Sequence, residues 1–195
     1  MCFSVLGVNA ARRYRATALR YVALAVLVVV LTAPAAAQTT PSFVIEGDAK
    51  VGAFAVKTDG GLAGAIRAFG RSKLRRTGES CTATWTQYGL TMNFYNLGGA
   101  NPCSPRFGRF SKAVTHGTRW RTDKGLRIGM ASTAIRRYYS RATFKRGLRF
   151  YWPSGWWLVT RRESFGGRGL YPGLLAETRG GKVIAFQVRY PAGGD

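Results

Sequence analysis

Alternating apolar and polar residues predict antiparallel strands along much of the chain. In segment 90–95 (LTMNFY) apolar side chains occupy every second position, which is the period of a half-buried strand. The segment 81–86 (CTATWT) precedes it, and Gln87-Tyr88-Gly89 between them predicts a tight turn. The same reasoning predicts further strands at 51–56, 148–152, 156–160, 171–178 and 182–190.

A period nearer to 3.6 predicts a short helix after the first of these strands. Leu62, Ile66 and Phe69 form one apolar stripe at helical spacing. The preceding segment 58–61 (TDGG) offers an N-cap, because threonine and aspartate oxygens accept hydrogen bonds from free helix N–H groups. Gly70 is expected to end the helix, and the basic segment 71–76 is expected to be a loop.

The same order of elements recurs about 69 residues later. Ala131, Ile135 and Tyr138 repeat the helical spacing, and candidate strands follow. We therefore predict an α+β fold made of two tandem helix-plus-antiparallel-sheet units, about 51–115 and 116–190, in one domain. Chance similarity of two generic α+β halves is the alternative. The residues identical at this offset are Gly60, Ala65, Ile66 and Arg67 against Gly129, Ala134, Ile135 and Arg136.

This tandem pattern resembles the beta-lactamase-inhibitory-protein-like fold. The resemblance is carried by GGLAGAIRAFG (60–70) with CTATWTQYGLTMNF (81–94), and by IGMASTAIRRYY (128–139) with the strands from 148. It implies that each repeat packs a short helical segment on an antiparallel sheet, and it does not imply inhibition of a lactamase. The chain also resembles small, secreted, Arg-rich proteins of GC-rich bacteria.

The first 37 residues predict a secretory signal peptide. Residues 1–20 contain arginines and no acidic residue, the apolar run 22–31 follows, and 32–38 (TAPAAAQ) supplies small residues for cleavage near Ala37. The apolar run is shorter than the ~20 residues that span a bilayer, although an uncleaved anchor is the alternative. We expect a protein that is secreted or held in the cell envelope. The predicted mature chain comprises a linker (38–50), one domain (51–190) and a C-terminal tail (191–195).

Export would place the cysteines in a compartment where disulfides form. Cys2 would leave with the signal peptide, so Cys81 and Cys103 would remain. Two cysteines in an oxidising compartment predict one disulfide, worth roughly 3–4 kcal/mol in the chain-entropy picture. The alternative is a nucleophilic or metal-binding thiol, which would need a base, and His116 is the single histidine.

Positive charge is the strongest functional signal in the sequence. The formal net charge is +22, and aromatic residues interleave with the basic ones, as on faces that bind polyanions. Composition bias of a GC-rich genome is the alternative explanation. Export argues against nucleic acid and favours anionic cell-wall polymer or lipid headgroups. The candidate polyanion-binding residues are Arg71, Arg75, Arg76, Arg136, Arg137 and Arg141.

Two adjacent tryptophans are candidate protein contacts. Trp156 and Trp157 alternate along a predicted strand, so one of them is expected to leave the core. Packing of the hairpin against the other repeat is the alternative.

Known catalytic motifs do not occur in the sequence. We find no HExxH, GxSxG, P-loop or CxxC pattern, so no catalytic residue, metal or cofactor is predicted. We expect a secreted, non-enzymatic interaction module that binds an extracellular protein. A cationic envelope-associated protein that binds anionic polymer or a membrane surface is one alternative. A hydrolase is the other, because two carboxylates distant in sequence can meet in space.

Overall fold

The structure is a computed structural model in which residues 42–147, 153–162 and 169–190 are described. The predicted signal peptide (1–37), the predicted strand 148–152 and the predicted tail 191–195 lie outside these residues. No helix within the described part of the chain is long and apolar enough to cross a membrane.

Twelve strands and three short α-helices make up the described fold. The strands are β1 (Val44–Glu46), β2 (Lys50–Val51), β3 (Phe54–Ala55), β4 (Lys73–Thr77), β5 (Ser80–Trp85), β6 (Leu90–Tyr95), β7 (Arg109–Thr115), β8 (Arg121–Thr122), β9 (Thr143–Lys145), β10 (Gly155–Arg162), β11 (Leu170–Arg179) and β12 (Lys182–Arg189). The α-helices are α1 (Val56–Asp59), α2 (Leu62–Phe69) and α3 (Ile135–Tyr138), and 3-10 turns occupy Thr86–Tyr88 and Ser132–Ala134.

The larger sheet has eight strands in the order β4-β5-β6-β7-β12-β11-β10-β9. All of its pairings are antiparallel, and two meanders, β4–β7 and β9–β12, meet where β7 pairs with β12. A smaller sheet has the order β3-β2-β1-β8, with β1 and β8 parallel. The predicted mixed α+β class is therefore confirmed, with sheet predominating over helix.

One face of the larger sheet forms the core. Leu90, Met92 and Phe94 are buried on β6, as their alternation predicted. Helix α2 packs on this face, where the Phe69 ring lies 5.5 Å from that of Trp85. Because period-two burial leaves the alternate residues on the other side, the second face of the sheet is turned away from the helices.

The predicted disulfide is present. Cys81 on β5 is bonded to Cys103 in the loop between β6 and β7. Cys81 is fully buried, so the bridge anchors this loop to the core side of the sheet. It also fits the oxidising compartment that the sequence predicts.

Three predictions of local structure are wrong. The predicted linker contains β1, because Ile45 is fully buried against the core. The predicted basic loop 71–76 contains most of β4, which pairs with β5 despite its charge. The predicted strand 51–56 is broken by a turn at residues 52–53 and continues into α1, because Gly52 adopts a φ of 57° that an extended strand excludes.

The prediction of the first helix is confirmed in position but not in capping. Helix α2 begins at Leu62 and ends before Gly70, as predicted, but its N-cap is Gly61 and no side chain caps it. Asp59 instead accepts a hydrogen bond from the backbone N–H of Ala55 at 2.7 Å. The second predicted helix is reduced to a 3-10 turn followed by the four residues of α3.

Candidate binding face

The second face of the larger sheet carries polar and charged side chains on strands whose other side chains form the core, and we call it the polar face. It consists of the strand residues that alternate with the core residues, including Thr82, Thr84, Thr91 and Asn93 on β5 and β6. Cationic positions outnumber carboxylates on this face, since Glu177 on β11 is the one carboxylate among its described strand residues. By alternation and register the cations include Lys73, Arg75, Lys112, Lys145, Arg179, Lys182 and Arg189.

Two of these cations lie directly opposite each other where the two meanders meet. Lys112 on β7 pairs in register with Arg189 on β12, and Asn93 on β6 lies on the other side of Lys112. Side chains directly opposite in an antiparallel pair have Cβ atoms about 4.5–5.5 Å apart. An amide, an ammonium and a guanidinium therefore form a row across three neighbouring strands, which we call the seam row.

The guanidinium of the seam row is held by a chain of side-chain hydrogen bonds. Arg189 Nε donates to Gln187 Oε1 at 3.2 Å, and Gln187 Nε2 donates to the Glu177 carboxylate. Gln187 is 5 % exposed, so this connection lies below the surface of the sheet. The chain fixes the orientation of Arg189.

Burial makes the seam row electrostatically unusual. It lowers the pKa of Lys112, and the charge of Arg189 lowers that pKa further, while Glu177 acts in the opposite direction. Burial likewise lowers the pKa of Arg189, and Glu177 raises it. Two half-buried cations thus lie opposite each other, and the charge of Glu177 acts on both.

The polar face becomes apolar toward β10. Trp157 and Leu175 lie opposite each other there, with exposed fractions of 7 % and 0 %, and Lys145 Nζ lies 5.8 Å from the Trp157 ring centroid. Trp156 points to the core side, where it contacts Phe144. The two tryptophans thus face opposite sides of the sheet, and neither of them is exposed.

The predicted polyanion-binding arginines fall into two separate groups. All six side chains are exposed. Arg71, Arg75 and Arg76 lie at or beside the edge strand β4, of which only Arg75 points to the polar face. The remaining three lie on or after α3, ahead of β9 at the other edge of the sheet, so six strands separate the two edges. These groups are Arg71, Arg75 and Arg76, and Arg136, Arg137 and Arg141.

Two grooves border the sheet on the side of the small sheet and α1. One, of about 310 Å³, is lined by Lys57, Arg106, Arg109 and Tyr95 among others. The other, of about 510 Å³, contains a two-bond ion pair in which Arg161 donates to Asp48 at 2.6 and 2.8 Å. This pair joins the turn after β1 to β10. The aspartate of each groove is already bonded within the fold, since Asp59 binds Ala55 and Arg67.

The described residues hold no group of three or more histidine, cysteine, aspartate or glutamate side chains that could bind a metal ion. His116 is exposed at the end of β7. The polar face thus presents cationic and amide donors on paired strands.

Sequence reasoning missed the residues at the centre of this face. Lys112 stands in a basic run and Arg189 alternates with apolar residues on β12, but their pairing depends on the register between two distant strands. A usable signal was the polar residues that alternate with the core residues, because these define the second face once the strands are known.

Comparison with protein-family models, curated proteins and solved structures gave no match to this chain. The resemblance to the beta-lactamase-inhibitory-protein-like fold therefore stays a prediction.

Proposed function

We propose that this protein is a secreted interaction module that binds an acidic protein partner on the polar face of its eight-stranded sheet. The observation that carries the proposal is the charge of that face, where cations on β4, β7, β9, β11 and β12 outnumber the carboxylate of Glu177. A basic surface of this kind attracts an acidic one and increases the rate of encounter.

The open part of the polar face lies mainly on β4 to β7, because Trp157, Leu175, Ala185 and Gln187 on the side of β10 to β12 are buried. Three spacings of about 4.8 Å between these four strands give a width of about 14 Å, and strands of six residues extend about 20 Å. This area fits a small contact with a protein partner, below the ~800 Å² that each side of a standard interface contributes.

We also propose that the fold is a tandem repeat. In each half of the chain a short helical segment precedes a four-strand meander, and the two meanders meet at their last strands, β7 and β12. A single duplication of one helix-plus-meander unit would produce this order of elements. It also explains why the seam row lies at the centre of the face, where a partner would contact both units.

The exposed cations of β4 favour a second candidate, binding of anionic polymer. Lys73, Arg75 and Arg76 are exposed on an edge strand, which suits loose contact with a flexible polyanion. Such binding would be sensitive to salt and insensitive to the arrangement of the seam row.

Site-specific cross-linking tests the proposed function. A photoreactive phenylalanine would replace Thr91 on the polar face in one variant and Arg67, exposed on α2, in a matched control. Both exported proteins would be irradiated in extracts of the host envelope and culture medium. We expect Thr91 but not Arg67 to cross-link a protein whose surface is acidic, with excess unlabelled protein competing.

Two outcomes would overturn this proposal. Equal cross-linking from both positions would remove the polar face as the contact surface. Cross-links to anionic polymer alone, lost at high salt from both positions, would support the polymer-binding function instead.

A further inference from the structure

The groove of about 310 Å³ beside α1 gathers cations from three segments of the chain. Lys57 lies on α1, Arg106 in the loop before β7 and Arg109 on β7, and all three side chains are exposed. Within the part of the chain that the structure describes, none of the three forms an ion pair or a side-chain hydrogen bond. The groove therefore presents three cationic donor groups that the fold itself does not use.

The one carboxylate in the described lining of this groove is already engaged elsewhere. Asp59 Oδ2 accepts a hydrogen bond from the backbone N–H of Ala55 at 2.7 Å, and Asp59 Oδ1 accepts one from Arg67 at 3.2 Å. Because both oxygens are bonded within the fold, Asp59 does not pair with the cations of the groove. A cleft lined by an excess of one charge concentrates ligands of the opposite charge.

The backbone fixes the segments that carry these cations. Gly61 and Arg109 form an isolated β-bridge, which ties the start of β7 to the start of α2. The loop that carries Arg106 is closed by a hydrogen bond from Asn96 Nδ2 to the Phe107 carbonyl at 3.1 Å, and the disulfide anchors the same loop. Cationic side chains that start from fixed backbone lose less conformational freedom when a ligand orders them.

The number of cations selects the class of anion. A phosphomonoester presents three terminal oxygens and carries about two negative charges near pH 7. Guanidinium groups bind phosphate oxygens through paired hydrogen bonds, and an ammonium adds a point charge. A carboxylate has only two oxygens and one charge, so it would engage fewer of the three cations. The volume of the groove lies at the lower end of the roughly 300–1,000 Å³ of small-ligand sites, which leaves room for an organic group beside the phosphate.

We propose that Lys57, Arg106 and Arg109 form a phosphate-binding site that takes a phosphomonoester on a small organic body. Lys57 also lines the second groove, of about 510 Å³, so the organic body has space to extend from the phosphate along it. The site borders the sheet beside α1, so the inference goes beyond the proposed function and does not depend on partner binding by the polar face.

Titration with glycerol 3-phosphate tests the site. The ligand would be added to the exported, 15N-labelled protein at ionic strength held constant with sodium chloride, and backbone amide shifts would be recorded. We expect saturable shifts at Gly60, Gly61 and Arg109, half-complete at about 0.1–1 mM as for several charge-assisted contacts. The amide of Arg137 on α3 should not saturate. Acetate should require at least tenfold higher concentration, and half-saturation by acetate at the same concentration would overturn the choice of phosphate.

Matched double variants separate the groove from the general positive charge of the protein. The substitutions Lys57→Gln and Arg109→Gln together remove two charges from the groove, whereas Lys124→Gln and Arg127→Gln remove two from exposed residues outside its lining. We expect the first pair to weaken glycerol 3-phosphate binding at least tenfold and the second pair less than twofold. Unchanged binding in the first pair would overturn the site, as would equal weakening in both pairs.

A conservative variant shows that the loss is not a loss of folding. Arg109→Lys keeps the charge but loses the planar fork, so affinity should fall several-fold without disappearing. Amide shifts away from the groove should stay unchanged in every variant. If Arg109→Lys abolished binding while those shifts moved throughout the sheet, Arg109 would hold the fold and its assignment to the site would be wrong.

Two further ligands distinguish the sources of the phosphate. We expect inorganic phosphate to bind several-fold more weakly than glycerol 3-phosphate, because the groove is larger than a phosphate ion; equal affinity would overturn the organic body. Vesicles of phosphatidylcholine that contain phosphatidic acid present the same phosphomonoester on a lipid. Sedimentation with these vesicles that is lost on Lys57→Gln with Arg109→Gln would support the site with a lipid as its source. Absence of sedimentation, beside saturable binding of glycerol 3-phosphate, would support it with a soluble ester.

Discussion

Individual residues of this protein show how burial changes the cost of a charge to the stability of the fold. Arg136 and Arg137 are exposed, so water screens them and neither costs the fold much. Lys112 carries the same charge in a half-buried position opposite Arg189. Strand pairing places Lys112 in this position. Its buried charge predicts a measurable dependence of the free energy of unfolding on pH.

Lys112→Met is expected to raise the free energy of unfolding at pH 7 by a few tenths to about 1 kcal/mol. The gain is the size of one cross-strand charge pair, reduced because solvent still screens half of the side chain. Burial and Arg189 lower the pKa of Lys112 in the folded state, against the opposing effect of Glu177 on the neighbouring strand. Urea unfolding of both proteins between pH 7 and pH 11 provides the measurement.

The sign of the pH effect follows from proton binding. Between the lowered folded pKa and the unfolded value near 10.5, the unfolded chain holds a proton that the folded protein has released. Raising the pH through this window therefore stabilises the unaltered protein, and its deficit relative to Lys112→Met shrinks. A deficit that stays constant to pH 11 would contradict a charge-based cost, and Lys73→Met serves as the control without a buried charge.

At the scale of elements, the edge strand β4 shows how a strongly charged strand can be mistaken for a loop in the sequence. All five of its residues are exposed, and three are cationic. A charged edge strand is protected against pairing with another molecule, so the basic composition that predicted a loop is compatible with an edge position. The strand forms because β5 supplies hydrogen-bond partners along its whole length.

Helix α2 is tied to the start of β7 by backbone contacts that glycine permits. Leu62 N–H donates to the Gly108 carbonyl and Phe110 N–H donates to the Gly60 carbonyl, both at 2.9 Å. A methyl group on Gly108 would overlap the Pro102 carbonyl oxygen and press against Leu62 Cβ at 3.2 Å. Glycine at this position is therefore a packing requirement.

Gly108→Ala is expected to destabilise the protein by about 1–3 kcal/mol, the usual cost of overpacking. Denaturant unfolding with unchanged m-value would measure it. Gly98→Ala is the matched control, because its methyl group would approach only Asn96 Oδ1 at 3.4 Å, and a change within about 0.5 kcal/mol is expected. Equal effects of the two substitutions would show that the contact between α2 and β7 is not tightly packed.

At the scale of the whole described sheet, the pairing of β7 with β12 joins the two meanders. Val188 and Phe186 on β12 lie opposite Ala113 and Thr115 on β7, and all four are buried on the core side. The paired strands β7 and β12 therefore contribute core residues on one face and the seam row on the other. A continuous core across the join predicts one cooperative unit.

Hydrogen exchange is expected to show that cooperativity directly. Amides of β6, β7, β12 and β11 should exchange most slowly and with similar free energies, because these strands are paired on both sides, whereas the edge strands β4 and β9 should exchange fastest. Native-state exchange monitored by NMR provides the measurement. Two distinct free energies, divided between β7 and β12, would instead show two units that unfold separately.

Much of the fold is determined by local sequence. The periods of two and 3.6 predicted β5, β6, β10, β11 and β12 and the position of α2, because these patterns record only which side of an element is buried. The number of cysteines and the expected export predicted the disulfide, which is present. Capping of α2 was not predictable in this way, because Asp59 is drawn to Ala55 by the turn that precedes the helix.

The tertiary structure decided which cations meet on the polar face. A β-bulge between β6 and β7 places Asn93 opposite Lys112 and Phe94 opposite Phe110, so Ser111 is left unpaired between them. Without that extra residue, alternation would place Ser111 opposite Asn93 and turn Lys112 toward the other face. The sequence by itself determined the strands, the disulfide and the basic character of the chain. The seam row exists only in the folded sheet, because the register of β7 against β6 and β12 depends on hydrogen bonds between residues far apart in the chain.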